Sequence, residues 1–262
     1  MDVFYQKQFE KALTTAFDNQ LAAIKNLTWL PWVGKHYTDC RIMIVAESHY
    51  TNTPDCIQYE KDLKDYMSNP LSTREVLAEY PMLGYDAGWK NNGGRSNNPT
   101  FDNIFKLLIS DDLLSDREPH SRRVKLCSNF AFMNMIQRPM WYPSNRPKER
   151  PTDADRSVGW DVIIEVLKIL LPDICIFAGS DASRFFEQQM KRVNVPYENW
   201  KYEDDRIGNT FPKSATVTIE GKKIPFKFIR HPGSYFNWEK WQEFVFSDCK
   251  SIQEKLLRIM QS

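Results

Sequence analysis

Four short apolar runs limit what this chain can become: "RIMIVA" (41–46), "VKLCSNF" (124–130), "DICIFAG" (173–179) and "FKFIRHP" (226–232). Helical patterns lie between them, at about 159–171 and 181–192. Runs of this length, apolar without a polar alternation, predict strands buried on both faces, as in a parallel sheet covered by helices. The expected fold is therefore α/β, a three-layer α/β/α sandwich with a central, mainly parallel four-stranded sheet. With 262 residues, 42% of them hydrophobic, one large core can be filled. A single domain over 1–262 is expected, carrying an inserted loop-rich segment at about 51–98.

The remaining elements follow from spacing. Phe9, Leu13, Phe17, Leu21 and Ile24 predict an amphipathic helix over 5–25. "LTWLPWVGKHY" is an aromatic connector broken by Pro31 and Gly34. Ser72-Thr73-Arg74-Glu75 has the form of a capping box, opening a helix that stops before Pro81. Thr100 is placed to cap a helix through about Leu108. Residues 215–229 predict a hairpin turning at Glu220-Gly221. A last helix is expected over about 238–260, with Trp241, Val245, Ile252, Leu256 and Ile259 on one face.

Composition removes several classes of function. A net charge of +1 gives no whole-molecule attraction to nucleic acid, so DNA contacts must come from local patches. The five cysteines (40, 56, 127, 175, 249) form no CxxC pair, against a zinc ribbon or an iron–sulfur loop, and no metal or other cofactor is expected. The first residues lack the apolar stretch of a signal peptide, and "VIIEVLKILLPDICIFAG" is interrupted by Glu165, Lys168, Pro172 and Asp173. A cytoplasmic protein with no membrane association and no obligate protein partner is expected.

In a parallel α/β sheet the ligand lies beyond the carboxyl ends of the strands. The four runs end in Glu47-Ser48-His49-Tyr50, Ser128-Asn129, Gly179-Ser180-Asp181 and His231-Pro232-Gly233-Ser234, all polar and all suited to a site. Ser180 and Asp181 also fit a helix cap. A serine hydrolase is disfavoured, since no G-x-S-x-G elbow is present. His49 and His231 with an acid could bind a metal ion, which keeps a metal-dependent hydrolase as an alternative of another class. Arg138, Arg146, Lys148, Arg150 and Arg156 surround the Pro-rich loop "RPMWYPSNRPKERPTDADR" and could grip phosphates. Arg117, Arg122 and Arg123 form a weaker second patch.

These motifs and their order resemble the uracil-DNA glycosylase superfamily. "AESHY" stands where members carry a G-Q-D-P-Y-like or G-E-A-P-G-like motif after the first core strand. "NPTFDNIFKLL" (98–108) resembles the family's P-P-S-L-x-N-I-F-K-E-L segment. "KLCSNF" resembles the strand ending in the base-reading Asn, "GWDVIIEVLKILLPDICIFAGSDAS" the helix and strand before the Gly-Ser loop, and "FIRHPGSYF" the H-P-S-P loop. The likeness covers about residues 28–236 as short motifs in order.

The resemblance implies a glycosylase that flips a nucleotide into its pocket and expels the base. His231 would donate to the pyrimidine O2, Asn129 would read the Watson–Crick edge, and Tyr50 would wall the pocket. Thr100, Ser180 and Ser234 would hold phosphates, while Tyr235 or Phe236 would wedge into the gap. Ser48 and His49 replace the family's Asp and Pro, so the water must be oriented by Glu47 or His49, or by Asp153 or Asp155 from the basic loop. No lysine is placed for a Schiff base, so the expected activity is monofunctional. The insertion leaves beside Tyr50 with Tyr59, Tyr66, Tyr80, Tyr85, Trp89 and "KNNGGRSNN", side chains suited to sugars. The expected substrate is a modified or damaged pyrimidine in DNA, with glucosylated hydroxymethylcytosine of phage DNA as one type. The alternatives are a plain uracil-DNA glycosylase of base-excision repair and a catalytically inactive DNA-binding relative.

Overall fold

A computed structural model describes residues 10–51, 56–78, 99–110, 119–143, 147, 149–179, 181–233 and 235–262, with the backbone alone at 119–121. Its strands are β1 (Trp32–Val33), β2 (Ile42–Ala46), β3 (Tyr50–Thr51), β4 (Phe130–Asn134), β5 (Met140–Trp141), β6 (Ile174–Ala178), β7 (Tyr197–Tyr202), β8 (Lys213–Ile219) and β9 (Lys222–Ile229). Seven of them form one mixed sheet in the order β1-β4-β2-β6-β9-β8-β7, and β3 pairs with β5 apart from it. β4, β2, β6 and β9 run parallel, while β1, β8 and β7 are antiparallel to their neighbours. The sheet thus has seven strands rather than four. β7 escapes a search for apolar runs because it is a half-exposed edge, and β1 because only two residues pair.

Period-two alternation divides the strand side chains between two cores. On one face Ile42, Ile44, Phe130, Phe132, Ile174 and Ile176 pack with residues of the helices Pro99–Ile109, Trp238–Phe246 and Lys250–Gln261. On the other, Met43, Val45, Ala131, Met133, Cys175 and Phe177 meet the helix Asp153–Leu170 and Phe186. There Trp160 lies 5.3 Å from Phe177, which stacks on Phe228 at 4.8 Å. A Cβ on Gly159 would fall 2.6 Å from the Met135 carbonyl oxygen, so that helix approaches the chain after β4 as closely as glycine permits.

One expected strand is displaced. Residues Pro119–Cys127 are helical, and the strand begins only at Phe130. Ser128 and Asn129 end the helix: both side chains donate to the Lys125 carbonyl, at 2.6 and 2.7 Å, which satisfies a helix-end acceptor that a strand would not offer. Asn129 consequently sits at the amino end of β4, and the residue at its carboxyl end is Asn134.

Smaller departures lie elsewhere in the chain. The helix expected over 5–25 is broken where Leu13 bridges to Gly34 and Thr14 donates to the Val33 carbonyl, leaving a short helix at Asp18–Ala22. The last helix is two, separated at 247–249. The insertion is more regular than expected, with helices Cys56–Ser68 and Ser72–Leu77. Ser72 does not cap; its hydroxyl donates to the Asn69 carbonyl, and Asn69 Oδ1 accepts from Leu71 N–H. Residues 79–98, with Tyr80, Tyr85, Trp89 and the Asn-Gly run, lie outside the described residues. The hairpin turn is found as expected, with positive φ at both Glu220 (48°) and Gly221 (76°), the requirement of a two-residue hairpin loop.

All five cysteines are free thiols. Among the described residues no helix is long and apolar enough to cross a membrane.

Arg74, 1% exposed, ties the insertion to the body. Its guanidinium donates to both Asp18 carboxylate oxygens at 2.9 and 2.6 Å and to the Pro31 carbonyl at 2.8 Å. Losing one partner of a buried pair strands the other, at a cost of about 3 kcal/mol. Arg74→Ala should lower urea-unfolding stability by that order. Lys168→Ala, which breaks a surface pair with Glu165, should change it by less than about 1 kcal/mol.

Candidate active site

β2 is followed in the chain by β4 on one side, while β6 leads to β9 on the other. The connections therefore diverge between adjacent strands β2 and β6, and a crevice opens beyond their carboxyl ends. A cavity of about 340 Å³ lies there, lined by Glu47, Ser48, His49 and Tyr50 after β2, Asn134 ending β4, and His231 after β9. Thr100, Phe101 and Ile104 of the helix Pro99–Ile109 form one wall, and Tyr66 and Val76 of the insertion another.

The polar residues after β2 are held by backbone pairing with the chain that follows β4. Met135 N–H donates to the Ala46 carbonyl, Ile136 to Glu47, Met140 to His49 and Tyr142 to Thr51, at 2.8–3.0 Å. On the β6 side Gly179 has φ 149°, and a Cβ there would fall 3.6 Å from Glu47 Oε2. The β6 loop thus runs against the Glu47 carboxylate. Asn103 donates from Nδ2 to the carbonyls of Pro232 and Gly233, at 3.0 and 2.9 Å, pinning the His231 loop to the helix.

His49 is enclosed. Its Nε2 lies 3.0 Å from the Thr73 hydroxyl, and its ring meets Trp29 edge-on at 4.8 Å. Burial lowers its pKa from 6.5 to about 4, so the imidazole is neutral near pH 7. Ser48 Oγ is buried with no hydrogen-bond partner among the described residues. His231 is exposed at the mouth. Tyr235 projects into solvent, 96% exposed, from a backbone with φ 58° that is unfavourable for a bulky side chain. Phe236 instead is buried and stacks on Trp241.

The structure thus brings together Glu47, Ser48, His49, Tyr50, Thr100 and His231, as the sequence predicts, and leaves Asn129 at the far end of the sheet. Asn134 takes its place in the cavity; reading the strand five residues too early hid it. Asp153 and Asp155 do not line the cavity. Asp155 caps its helix through Thr152 and pairs with Arg138, and Asp153 pairs with Arg156. Arg138 and Arg156 are thereby committed to carboxylates, Arg156 also to Asp181 at 3.1 Å. Arg150 is exposed and outside the cavity. Arg146, Lys148, Ser180 and Ser234 lie outside the described residues. Thr73 and Trp29 were not singled out as site residues by sequence, and Asn103 entered only as part of the "NPTFDNIFKLL" segment. Among the described residues no group of three or more His, Cys, Asp and Glu side chains could hold a metal ion.

No protein-family model and no curated protein matches the chain.

The depressed His49 pKa gives a pH signature. Between about pH 6.5 and 4 the unfolded chain binds the proton and the folded one does not, so stability falls as pH is lowered through that window. The loss amounts to roughly 2–3 kcal/mol. His49→Gln should flatten the pH dependence of unfolding free energy over that interval, and the wild-type His49 ring signals should titrate near pH 4 in NMR.

Proposed function

We propose that the protein is a monofunctional DNA glycosylase of the uracil-DNA glycosylase type, hydrolysing the N-glycosidic bond of a modified or damaged pyrimidine. The observation that carries the reading is the convergence of Glu47, Tyr50, Asn134 and His231 on one cavity at the β2/β6 crevice. These side chains correspond in kind to a water-orienting group, a pocket wall, a base reader and a leaving-group donor.

On this reading a flipped nucleotide places its base in the cavity. The bond between C1′ and N1 breaks with both electrons passing to the base, leaving an oxocarbenium-like sugar. His231 donates a hydrogen bond to O2, where the negative charge develops; one such donor contributes on the order of 100–1000-fold in rate. Glu47 orients the water that attacks C1′ and accepts its proton, and the product is an abasic site. Asn134, rather than Asn129, presents its amide to the Watson–Crick edge; an amide offers either an acceptor or a donor, so uracil-type and cytosine-type bases are both compatible. His49, neutral and clamped, orients its neighbours and does not act as a cationic donor. Tyr235 is the wedge and Phe236 is not, since Phe236 has a packed partner.

The substrate is proposed to carry a polar substituent such as a glucosylated hydroxymethyl group. Three cavity features support this: the orphaned Ser48 hydroxyl, the Tyr66 contribution from the insertion, and the absence of an acidic residue at position 48. Buried polar groups left unmatched by a plainer base would select against it.

His231→Ala should slow single-turnover excision by about 3–4 kcal/mol in barrier with DNA affinity retained. Asn134→Ala should slow it comparably, whereas Asn129→Ala should act on stability alone. Alkali-labile sites would be scored on DNA bearing uracil, hydroxymethylcytosine or its glucosylated form. Uracil removal without action on the glucosylated base would overturn the substrate. DNA binding with no excision of any base would favour an inactive relative, and loss of activity on chelation would favour a metal hydrolase.

A further inference from the structure

Lys213 opens β8, whose antiparallel pairing with β9 puts it opposite Phe228, three residues before His231. It therefore stands at the same end of the sheet as the cavity. Its ammonium donates to Ser183 Oγ at 2.9 Å and lies 4.9 Å from the centre of the Tyr202 ring. Ser183 is buried, and its neighbour Arg184 is exposed at the end of the short helix Asp181–Arg184. Neither Lys213 nor Arg184 makes an ion pair among the described residues. Asp181 is paired with Arg156 and Glu203 with Lys201, while Glu187 accepts from the Tyr197 hydroxyl and keeps its charge. Burial, and then the positive charge of Arg184, depress the Lys213 pKa, so the two cations lie close enough to repel each other. Keeping like charges together is costly unless something negative joins them.

We propose that Lys213 and Arg184 form a phosphodiester-binding site, taking a backbone phosphate of the DNA strand whose flipped base enters the cavity. The proposal rests on the glycosylase reading for the identity of the strand. One strand spacing and three residues of rise separate Lys213 from His231, a backbone distance of about 11 Å. A nucleic-acid strand rises about 3.4 Å per nucleotide, so the phosphate would lie within about three steps of the flipped nucleotide. Tyr202, half exposed beside Lys213, adds a surface on which a neighbouring sugar or base can rest.

The test is the salt dependence of binding to a duplex oligonucleotide by the full chain, measured by fluorescence anisotropy. Arg184→Gln changes an exposed side chain and Lys213→Met keeps the stem of a half-buried one; thermal melts check that both fold. The double variant should bind about tenfold more weakly, equally for all sequences. Its slope of log affinity against log salt should be shallower by about 0.9, the signature of one lost phosphate contact. Lys223→Gln, at the opposite end of the sheet, should leave both unchanged. A folded double variant with wild-type affinity and slope would overturn the site. Wild-type protein that binds DNA but excises no base removes the glycosylase reading while the salt slope still decides this one, and wild-type protein that binds no DNA overturns both.

Discussion

A chain leaving a parallel strand at its carboxyl end usually enters a loop, and loops are poor platforms for catalysis because their backbone groups bond to water. Here residues 46–51 avoid that by pairing with residues 135–142. Four backbone hydrogen bonds carry the ladder past the end of β2 and into the small β3–β5 pairing. Glu47, Ser48, His49 and Tyr50 thus stand on backbone nearly as constrained as a strand. Everything proposed for the cavity depends on this extension, since side chains must be held within a fraction of an ångström to act together.

The second support comes from the insertion. Arg74 is buried against Asp18 and Pro31, and this fixes the helix Ser72–Leu77. Thr73, adjacent in that helix, then meets His49, while Trp29 gives its indole N–H to the Tyr66 carbonyl and its ring to the imidazole. The segment that looks like an addition in the sequence is therefore part of the wall. Burial of the imidazole follows from this enclosure, and with it the neutrality of His49.

The parallel core of the sheet and the crevice were legible in the sequence because both follow from buried runs ending in polar residues. Glu47, Tyr50 and His231 were reached that way. Asn134 was not. "VKLCSNF" and "FAFMN" overlap as apolar stretches, and hydrophobicity alone does not show that Ser128 and Asn129 turn their side chains back onto a helix end. That choice depends on hydrogen bonds to the Lys125 carbonyl, which no periodicity encodes. Edge strands such as β7 were hidden for the related reason that their side chains face water on most positions. Thr73 and Trp29 were hidden because their importance lies in what they touch across the fold.

Ser48 shows what such a frame can sustain. A buried hydroxyl without a partner costs about 1–3 kcal/mol, and a flexible loop would relax to expose or satisfy it. The residues on either side leave no such freedom, because the backbone carbonyls of Glu47 and His49 are both engaged by the neighbouring chain. Among the described residues that hydroxyl has no partner, and it stands on the same pairing that makes the platform rigid. A ligand bringing one complementary polar atom to that hydroxyl would recover part of the desolvation cost already incurred on folding, and a ligand lacking it would not. On the proposed function, rigidity in the platform would in this way favour one ligand over another without any motion of the protein being required.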